Sequence, residues 1–206
     1  MMATMPNALP DLGRYPVVVS LPVAEPDDLI AACEVMWQEG LRTWSVPVGH
    51  LDLLPVLQGL FGRRAVIGVH GATTAAQGAA AVASGARFVA ASWVVRGLVK
   101  ATGDVPVILG GLTPSEIAAA AGAGAAAVQV VPADAAGPTY AQELPAMFPG
   151  VALIATGDLG RDEAEQWLAG GALGVWTTGL ASAGAVAGPD LDGLRCECQE
   201  WRLGRE

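Results

Sequence analysis

Eight short runs rich in β-branched residues alternate along the chain with longer Ala/Leu-rich stretches of helical spacing. Strands separated by helices form parallel sheets, because each helix carries the chain back to the start of the next strand. Eight is the number of such strands that closes a barrel, so the alternation predicts an α/β fold, a (β/α)8 TIM barrel. The predicted strands are residues 17–21, 42–46, 65–69, 87–91, 105–109, 126–131, 151–156 and 173–177.

Glycines mark the ends of the predicted helices. Gly40, Gly85, Gly124 and Gly171 each stand between a helical stretch and the next strand. Glycine is favoured there because it adopts the left-handed conformation without strain. The segment Thr113-Pro114-Ser115-Glu116 predicts a helix start with a Thr N-cap and a capping box.

The two ends of the chain lie outside the eight repeats. The first 14 residues predict a loose arm or a short helix under the barrel. Residues 182–192 predict a Gly/Ala/Pro linker, and residues 190–203 have the amphipathic spacing of a final helix. The 206 residues of the chain are near the lower limit for such a barrel, so we expect one domain, residues 1–206, with no second domain.

Composition excludes several classes of partner. The net charge of −9 argues against nucleic acid and anionic membrane surfaces. No N-terminal signal pattern is seen, and no apolar run reaches the roughly 20 residues that span a bilayer. Cys33, Cys196 and Cys198 have no metal-type spacing with histidine, which predicts reduced thiols. We therefore expect a cytoplasmic protein that binds neither nucleic acid nor membranes.

Four motifs stand in the order and spacing found in one enzyme family. They begin at Gly40-Leu41-Arg42, Gly110-Gly111, Pro132-Ala133-Asp134 and Thr156-Gly157-Asp158. Over residues 17–180 the chain resembles the bacterial 2-keto-3-deoxy-6-phosphogluconate (KDPG) and KHG aldolases. The resemblance implies a class I aldolase-type TIM barrel, lyase ancestry, no cofactor and a homotrimer. In that family a lysine amine condenses with a 2-keto group, and a glutamate moves the protons.

The chain departs from the family at the residues that carry this chemistry. By resemblance, the imine-forming lysine corresponds to Gln129 and the glutamate to Ser45. The family's arginine and a threonine correspond to Gly49 and Gly71. A carboxamide cannot form an imine, and the one lysine of the chain, Lys100, stands just before the fifth strand, away from the expected site. The sequence therefore predicts a divergent member without the imine-forming lysine.

The phosphate site implied by the resemblance is also altered. Thr156, Gly157 and Thr177 keep part of the Gly-rich turns whose N–H groups suit phosphate. Asp158 replaces the second glycine of the family's turn, and a negative charge about 4 Å from an anion repels it by about 1 kcal/mol even in water. Trp176 stands where a small residue is expected. We therefore expect a small ligand without phosphate at these residues.

Two histidines offer a replacement acid/base site. His50 and His70 follow the second and third strands, so we predict both as candidate catalytic residues together with Asp158, with Ser45 and Gln129 around the mouth. The alternative is that both histidines are turn residues with local hydrogen bonds. Two histidines and an aspartate could hold a metal, but their spacing matches no known ligand pattern, so we expect none.

Trp93 follows the fourth strand, and Trp176 ends the eighth. They either line an apolar ligand pocket or fill the space of a lost phosphate site. Two functions stay open. One is a repurposed enzyme that acts by acid/base chemistry on a non-phosphorylated keto or hydroxy acid. The other is a non-catalytic pseudoenzyme that binds a ligand or a partner enzyme. A third possibility is carbon–carbon cleavage through Lys100 or an unrecognised route.

Overall fold

Eight parallel strands close into a barrel in the computed structural model, which describes Leu9, Leu12, residues 14–187 and residues 191–203. Each strand pairs with the next, and β8 pairs with β1, which confirms the predicted (β/α)8 barrel. The strands are β1 (Val17–Ser20), β2 (Thr43–Pro47), β3 (Val66–His70), β4 (Val89–Ala91), β5 (Val107–Gly111), β6 (Ala127–Val130), β7 (Leu153–Gly157) and β8 (Gly174–Thr177).

Helices surround the barrel and return the chain to the start of each strand. Acidic residues occupy the first turns of four of them, where the helix dipole favours negative charge. The helices are α1 (Pro26–Gln38), α2 (Leu53–Phe61), α3 (Ala75–Ala83), α4 (Leu98–Ala101), α5 (Pro114–Gly122), α6 (Gly137–Met147), α7 (Arg161–Ala169), α8 (Ala183–Val186) and α9 (Leu191–Glu200), with a 3-10 turn at Val48–His50.

The structure confirms the predicted glycines at the ends of the helices. Gly40, Gly85, Gly124 and Gly171 have φ angles of 90°, 95°, 86° and 105°, in the left-handed region. The capping box at the start of α5 also forms as predicted. Thr74 makes a second capping box at the start of α3, since its side chain accepts from the N–H of Gln77.

The core has two layers, one between sheet and helices and one inside the barrel. Gly68 on β3 makes room for Phe88, since a Cβ at position 68 would lie 2.5 Å from that ring. Leu12 lies at the N-terminal end of the strands, where its carbonyl accepts from Thr43. The buried members of the inner layer are Leu12, Val18, Phe88, Ala90, Ile108, Ala127, Ile154 and Trp176.

The terminal segments differ in part from the expectation. Most of residues 1–14, and residue 190 of the predicted final helix, lie outside the described residues. The helix itself is present as α9, but the predicted linker contains the short helix α8, which Ser182 caps. Glu39 at the end of α1 is only 5% exposed and pairs with Arg195 of α9 and with Arg202, so the final helix is anchored to α1. Among the described residues, no helix is long and apolar enough to cross a membrane.

Candidate functional site

Five polar side chains point into the barrel near the C-terminal ends of the strands, a region we call the mouth. Side chains two residues apart on a strand share a face, so each polar residue is placed by an inward neighbour. Val18, Ala127 and Ile154 belong to the inner core, which puts the side chains two residues further along inside the barrel. The five residues, called the mouth cluster below, are Ser20, Ser45, His70, Gln129 and Thr156.

Trp176 fills the barrel interior beside the mouth cluster. It is only 2% exposed, and its indole N–H donates to Ser20 Oγ at 2.9 Å. Its ring meets Phe88 and His70 edge to face, with centroids 5.8 and 6.3 Å apart. Of the two proposed roles for this tryptophan, the geometry favours packing, since the ring occupies interior space that a small residue would leave open.

Ser45 and His70 form a hydrogen-bonded pair. Ser45 Oγ lies 2.8 Å from His70 Nδ1, because Ser45 pairs in register with Gly68, two residues before His70 on the same inward face. Burial lowers the pKa of His70 to about 4, and a hydrogen bond with the Ser45 backbone opposes this shift only in part. The imidazole is therefore neutral at physiological pH. Its Nδ1 is taken by Ser45, which leaves Nε2 for a ligand.

Gln129, where the resemblance places the family's lysine, carries a tethered amide. Gln129 is buried and its side-chain N–H donates to the carbonyl of Ala91 on β4 at 2.8 Å. Ser45 and Gln129 thus do not bond to each other. Thr156 Oγ1 is buried and has no hydrogen-bond partner among the described residues, which leaves a second polar atom of the mouth cluster available besides His70 Nε2. Lys100 is exposed on α4, which leads into the N-terminal end of β5.

The turns where the resemblance places phosphate are partly occupied and flanked by negative charge. Thr177 Oγ1 accepts from the N–H groups of Gly179 and Leu180 at 3.3 and 3.4 Å. An Asp158 carboxylate oxygen lies 2.6 Å from where a Cβ of Gly179 would stand. Asp134, which sequence reasoning had not placed in the site, lies against Gly157 in the same way. Two carboxylates therefore lie beside the glycines of the turns that would otherwise suit an anion.

Two predicted site residues lie elsewhere. His50 was expected at the mouth, but β2 ends at Pro47 and the chain turns away from the barrel. His50 instead lines a cleft of about 530 Å³ with Glu25 and Asp52. Trp93 was expected to line or plug the mouth, yet it is 54% exposed. The Ser92 backbone next to it packs against Gly110, where a Cβ would lie 2.3 Å from the Ser92 carbonyl oxygen.

Sequence reasoning missed Ser20, which holds the indole of Trp176. Ser20 stands two residues after Val18, and this spacing could have indicated that both side chains lie on the same face of the strand. No group of three or more His, Cys, Asp or Glu side chains that could hold a metal ion occurs in the described part of the chain.

Closed parallel strands with polar side chains at their C-terminal ends define a TIM-type barrel with an enzyme-like site. The family model for KDPG and KHG aldolase matches residues 11–195. The chain therefore belongs to the KDPG and KHG aldolase family.

Solved structures agree in fold. A KDPG aldolase from Legionella pneumophila, with pyruvate captured as a covalent carbinolamine, has a TM-score of 0.80 and 22% identity, covering 93% of this chain and 95% of that chain. The KDPG aldolase of Zymomonas mobilis has a TM-score of 0.78 and 17% identity, covering 94% of this chain and 95% of that chain. A structure described as native KDPGal has a TM-score of 0.82 and 21% identity, covering 90% of this chain and 92% of that chain. A search of curated protein sequences finds no match.

Proposed function

We propose that this barrel binds a small, non-phosphorylated keto or hydroxy acid at its mouth without forming an imine, with neutral His70 as the main polar contact. The observation that carries the proposal is the chemistry of the mouth cluster. It offers hydroxyls, an imidazole and a carboxamide, and the inward-facing strand residues that the structure describes include no amine and no carboxylate. Such groups hydrogen-bond carbonyl and hydroxyl oxygens, whereas imine chemistry needs an amine.

The size of the ligand follows from Trp176. Because the indole takes up interior space, a ligand has to lie above it, against His70 Nε2 and the unpartnered Thr156 Oγ1. Two hydrogen-bonding atoms suit a molecule of a few heavy atoms that carries one carbonyl or hydroxyl beside a carboxylate. A phosphate group is disfavoured by Asp134 and Asp158 at the turns where it would sit.

The absence of imine chemistry is tested by borohydride reduction in the presence of pyruvate, followed by mass spectrometry. We expect no covalent adduct on any lysine, and the same result for Lys100→Arg. Peptide mapping distinguishes an adduct on Lys100 from an adduct on the α-amino group of the chain. An adduct on Lys100 that disappears in Lys100→Arg would overturn this part of the proposal.

Ligand binding is tested with pyruvate and lactate as probes and 3-phosphoglycerate as the phosphorylated comparison. Titrations followed by NMR of the backbone amides should give saturable shifts with the first two probes and weaker shifts with the third. His70→Gln and Thr156→Val should each weaken binding about tenfold, the effect of one lost hydrogen bond. Lys100→Arg is the matched control outside the mouth. Tighter binding of the phosphorylated probe, or no effect of either variant, contradicts the proposal.

A second candidate function is acid/base turnover at the same site. The contact of 2.8 Å between Ser45 and His70 favours it, because a histidine oriented by a hydrogen bond is the usual form of a general base. Any turnover of the same acids should then fall as pH drops toward the pKa of His70, about 4. Turnover that His70→Gln leaves unchanged would exclude this candidate.

A homotrimer is the assembly that the family resemblance favours, and we retain it as a proposal. Light scattering on the purified chain should give three times the protomer mass of 20.8 kDa. A monomeric mass at micromolar concentration would exclude the trimer.

A further inference from the structure

Four arginines come together at the N-terminal end of the barrel, opposite the mouth. Arg42 directly precedes β2, Arg63 and Arg64 precede β3, and Arg87 precedes β4. Because β2, β3 and β4 are consecutive neighbours in the sheet, residues that precede them share one edge. The N–H of Val66 donates to the Arg42 carbonyl at 2.8 Å, and the N–H of Arg87 donates to the Ile67 carbonyl at 2.9 Å. The backbone itself therefore holds these arginines side by side.

The arginines line a cleft of about 360 Å³, within the size range of small-molecule sites. Its floor includes Leu12 and Thr43, at the closed base of the inner core. The Thr43 hydroxyl is already bonded to the Leu12 carbonyl. The polar groups available to an occupant of this cleft are therefore mainly the guanidinium groups.

Most of this positive charge lacks a partner in the described part of the chain. Arg64 pairs with Glu34 at 3.0 Å, but Arg42, Arg63 and Arg87 have no described carboxylate within ion-pair distance. Like charges gathered in one cleft repel one another, so the arrangement is unfavourable without a counter-charge. It is also unexpected in a chain of net charge −9, which has carboxylates to spare.

Two of the guanidinium groups are held in place by aromatic rings. Arg64 lies over Trp37 at 4.4 Å and over Phe61 at 4.8 Å, and Arg42 lies 5.5 Å from the Trp37 ring centroid. Stacking of this kind fixes the plane of the guanidinium fork before any ligand arrives. A planar, pre-oriented fork matches the paired oxygens of a phosphate or carboxylate.

We propose that this cleft is a binding site for a small, multiply charged anion, a phosphate ester or polycarboxylate, distinct from the mouth. Size, unpaired charge and pre-oriented guanidinium groups all favour a compact anion with two or more charges. The site lies on the barrel face that carries no predicted catalytic residue. Occupancy therefore stabilises the barrel base and does not depend on the proposed function of the mouth.

Isothermal titration with inorganic pyrophosphate and with citrate, at constant ionic strength, tests the proposal on the full chain. We expect saturable binding of one anion per chain, with a Kd that rises with added salt. Arg63→Gln and Arg87→Gln should each raise Kd about tenfold or more, as for the loss of one charge-assisted hydrogen bond. Arg96→Gln is the matched control, because Arg96 is also exposed but lies in the loop after β4, at the other end of the barrel.

Thermal unfolding provides a second measurement that does not rely on heat of binding. Pyrophosphate should raise the Tm of the native chain and of Arg96→Gln, and should raise it less in Arg63→Gln and Arg87→Gln. Absence of saturable binding by both probes overturns the proposal. So does an equal loss of affinity in Arg96→Gln, which would mean that the anions respond only to net charge.

Discussion

Replacing Trp176 by alanine removes the ring that fills the upper interior of the barrel. At 2% exposure, this side chain buries nearly all of its surface. About 200 Å² at about 25 cal/mol per Å² corresponds to about 5 kcal/mol, and measured Trp→Ala changes in cores cost about 3–5 kcal/mol. The Ser20 hydroxyl also loses its donor, but it is only partly buried and can bond to water. We therefore expect a loss of about 4 kcal/mol in the free energy of unfolding.

Urea denaturation of Trp176→Ala and Trp93→Ala measures this loss with a matched control on the same barrel. Trp93 is 54% exposed, so its replacement should cost no more than about 1 kcal/mol. The cavity left by Trp176 is bounded by Phe88 and His70, so added indole should bind there and raise the Tm of that variant alone. Equal losses in the two variants, or no indole effect, would refute the claim that Trp176 is a packing residue.

Three further predictions concern stability. His70 has a pKa of about 4 in the folded state, against an ordinary value of 6.5. Its contribution to the free energy of unfolding is therefore present above pH 6.5 and is lost as the pH falls toward 4. Over this pH interval the free energy of unfolding of the native chain should fall by about 3 kcal/mol relative to His70→Gln, as measured by urea denaturation at each pH. Glu39→Gln should destabilise by about 2 kcal/mol, because it removes the ion pairs that anchor α9, and proteolysis should then cut α9 first. Burial opposes ionisation of Glu39, but Arg195 and Arg202 hold its pKa below the ordinary value, so the difference between native chain and variant should vanish in acid as the carboxylate is protonated. Thr74→Ala should cost about 1 kcal/mol through the lost N-cap of α3 while Thr74→Ser costs little, and an equal cost for both would contradict the capping role.

Local signals made the barrel predictable. Strand runs, glycine ends and the cap at Thr113 each depend on a few adjacent residues, and every strand boundary lies within two residues of its prediction. The helix α8 was missed because its four residues lie in a stretch of Gly and Ala that is equally typical of a linker. The capping box of Thr74 and Gln77 had a sequence signal but was not recognised.

The mouth was less predictable, because its geometry depends on contacts distant in the chain. The Ser45–His70 pair follows from strand register, and the two residues lie 25 positions apart. Trp176 meets Ser20 across 156 positions, which no local pattern contains. The different position of His50 has a local cause. β2 ends at Pro47, and the chain turns before His50 reaches the mouth.

The parallel arrangement places the starts of α1 to α7, each of which follows a strand, at the mouth end, where acidic residues occupy the first turns of α1, α5 and α7. The cluster of Arg42, Arg63, Arg64 and Arg87 lies at the opposite end. The side-chain charges of these two groups are therefore distributed unevenly along the barrel axis, superimposed on the net negative charge of the chain. An approaching anion is repelled from one end and steered to the other. Added salt should slow anion association at the base and speed it at the mouth, so one barrel would respond in opposite directions to the same change in ionic strength.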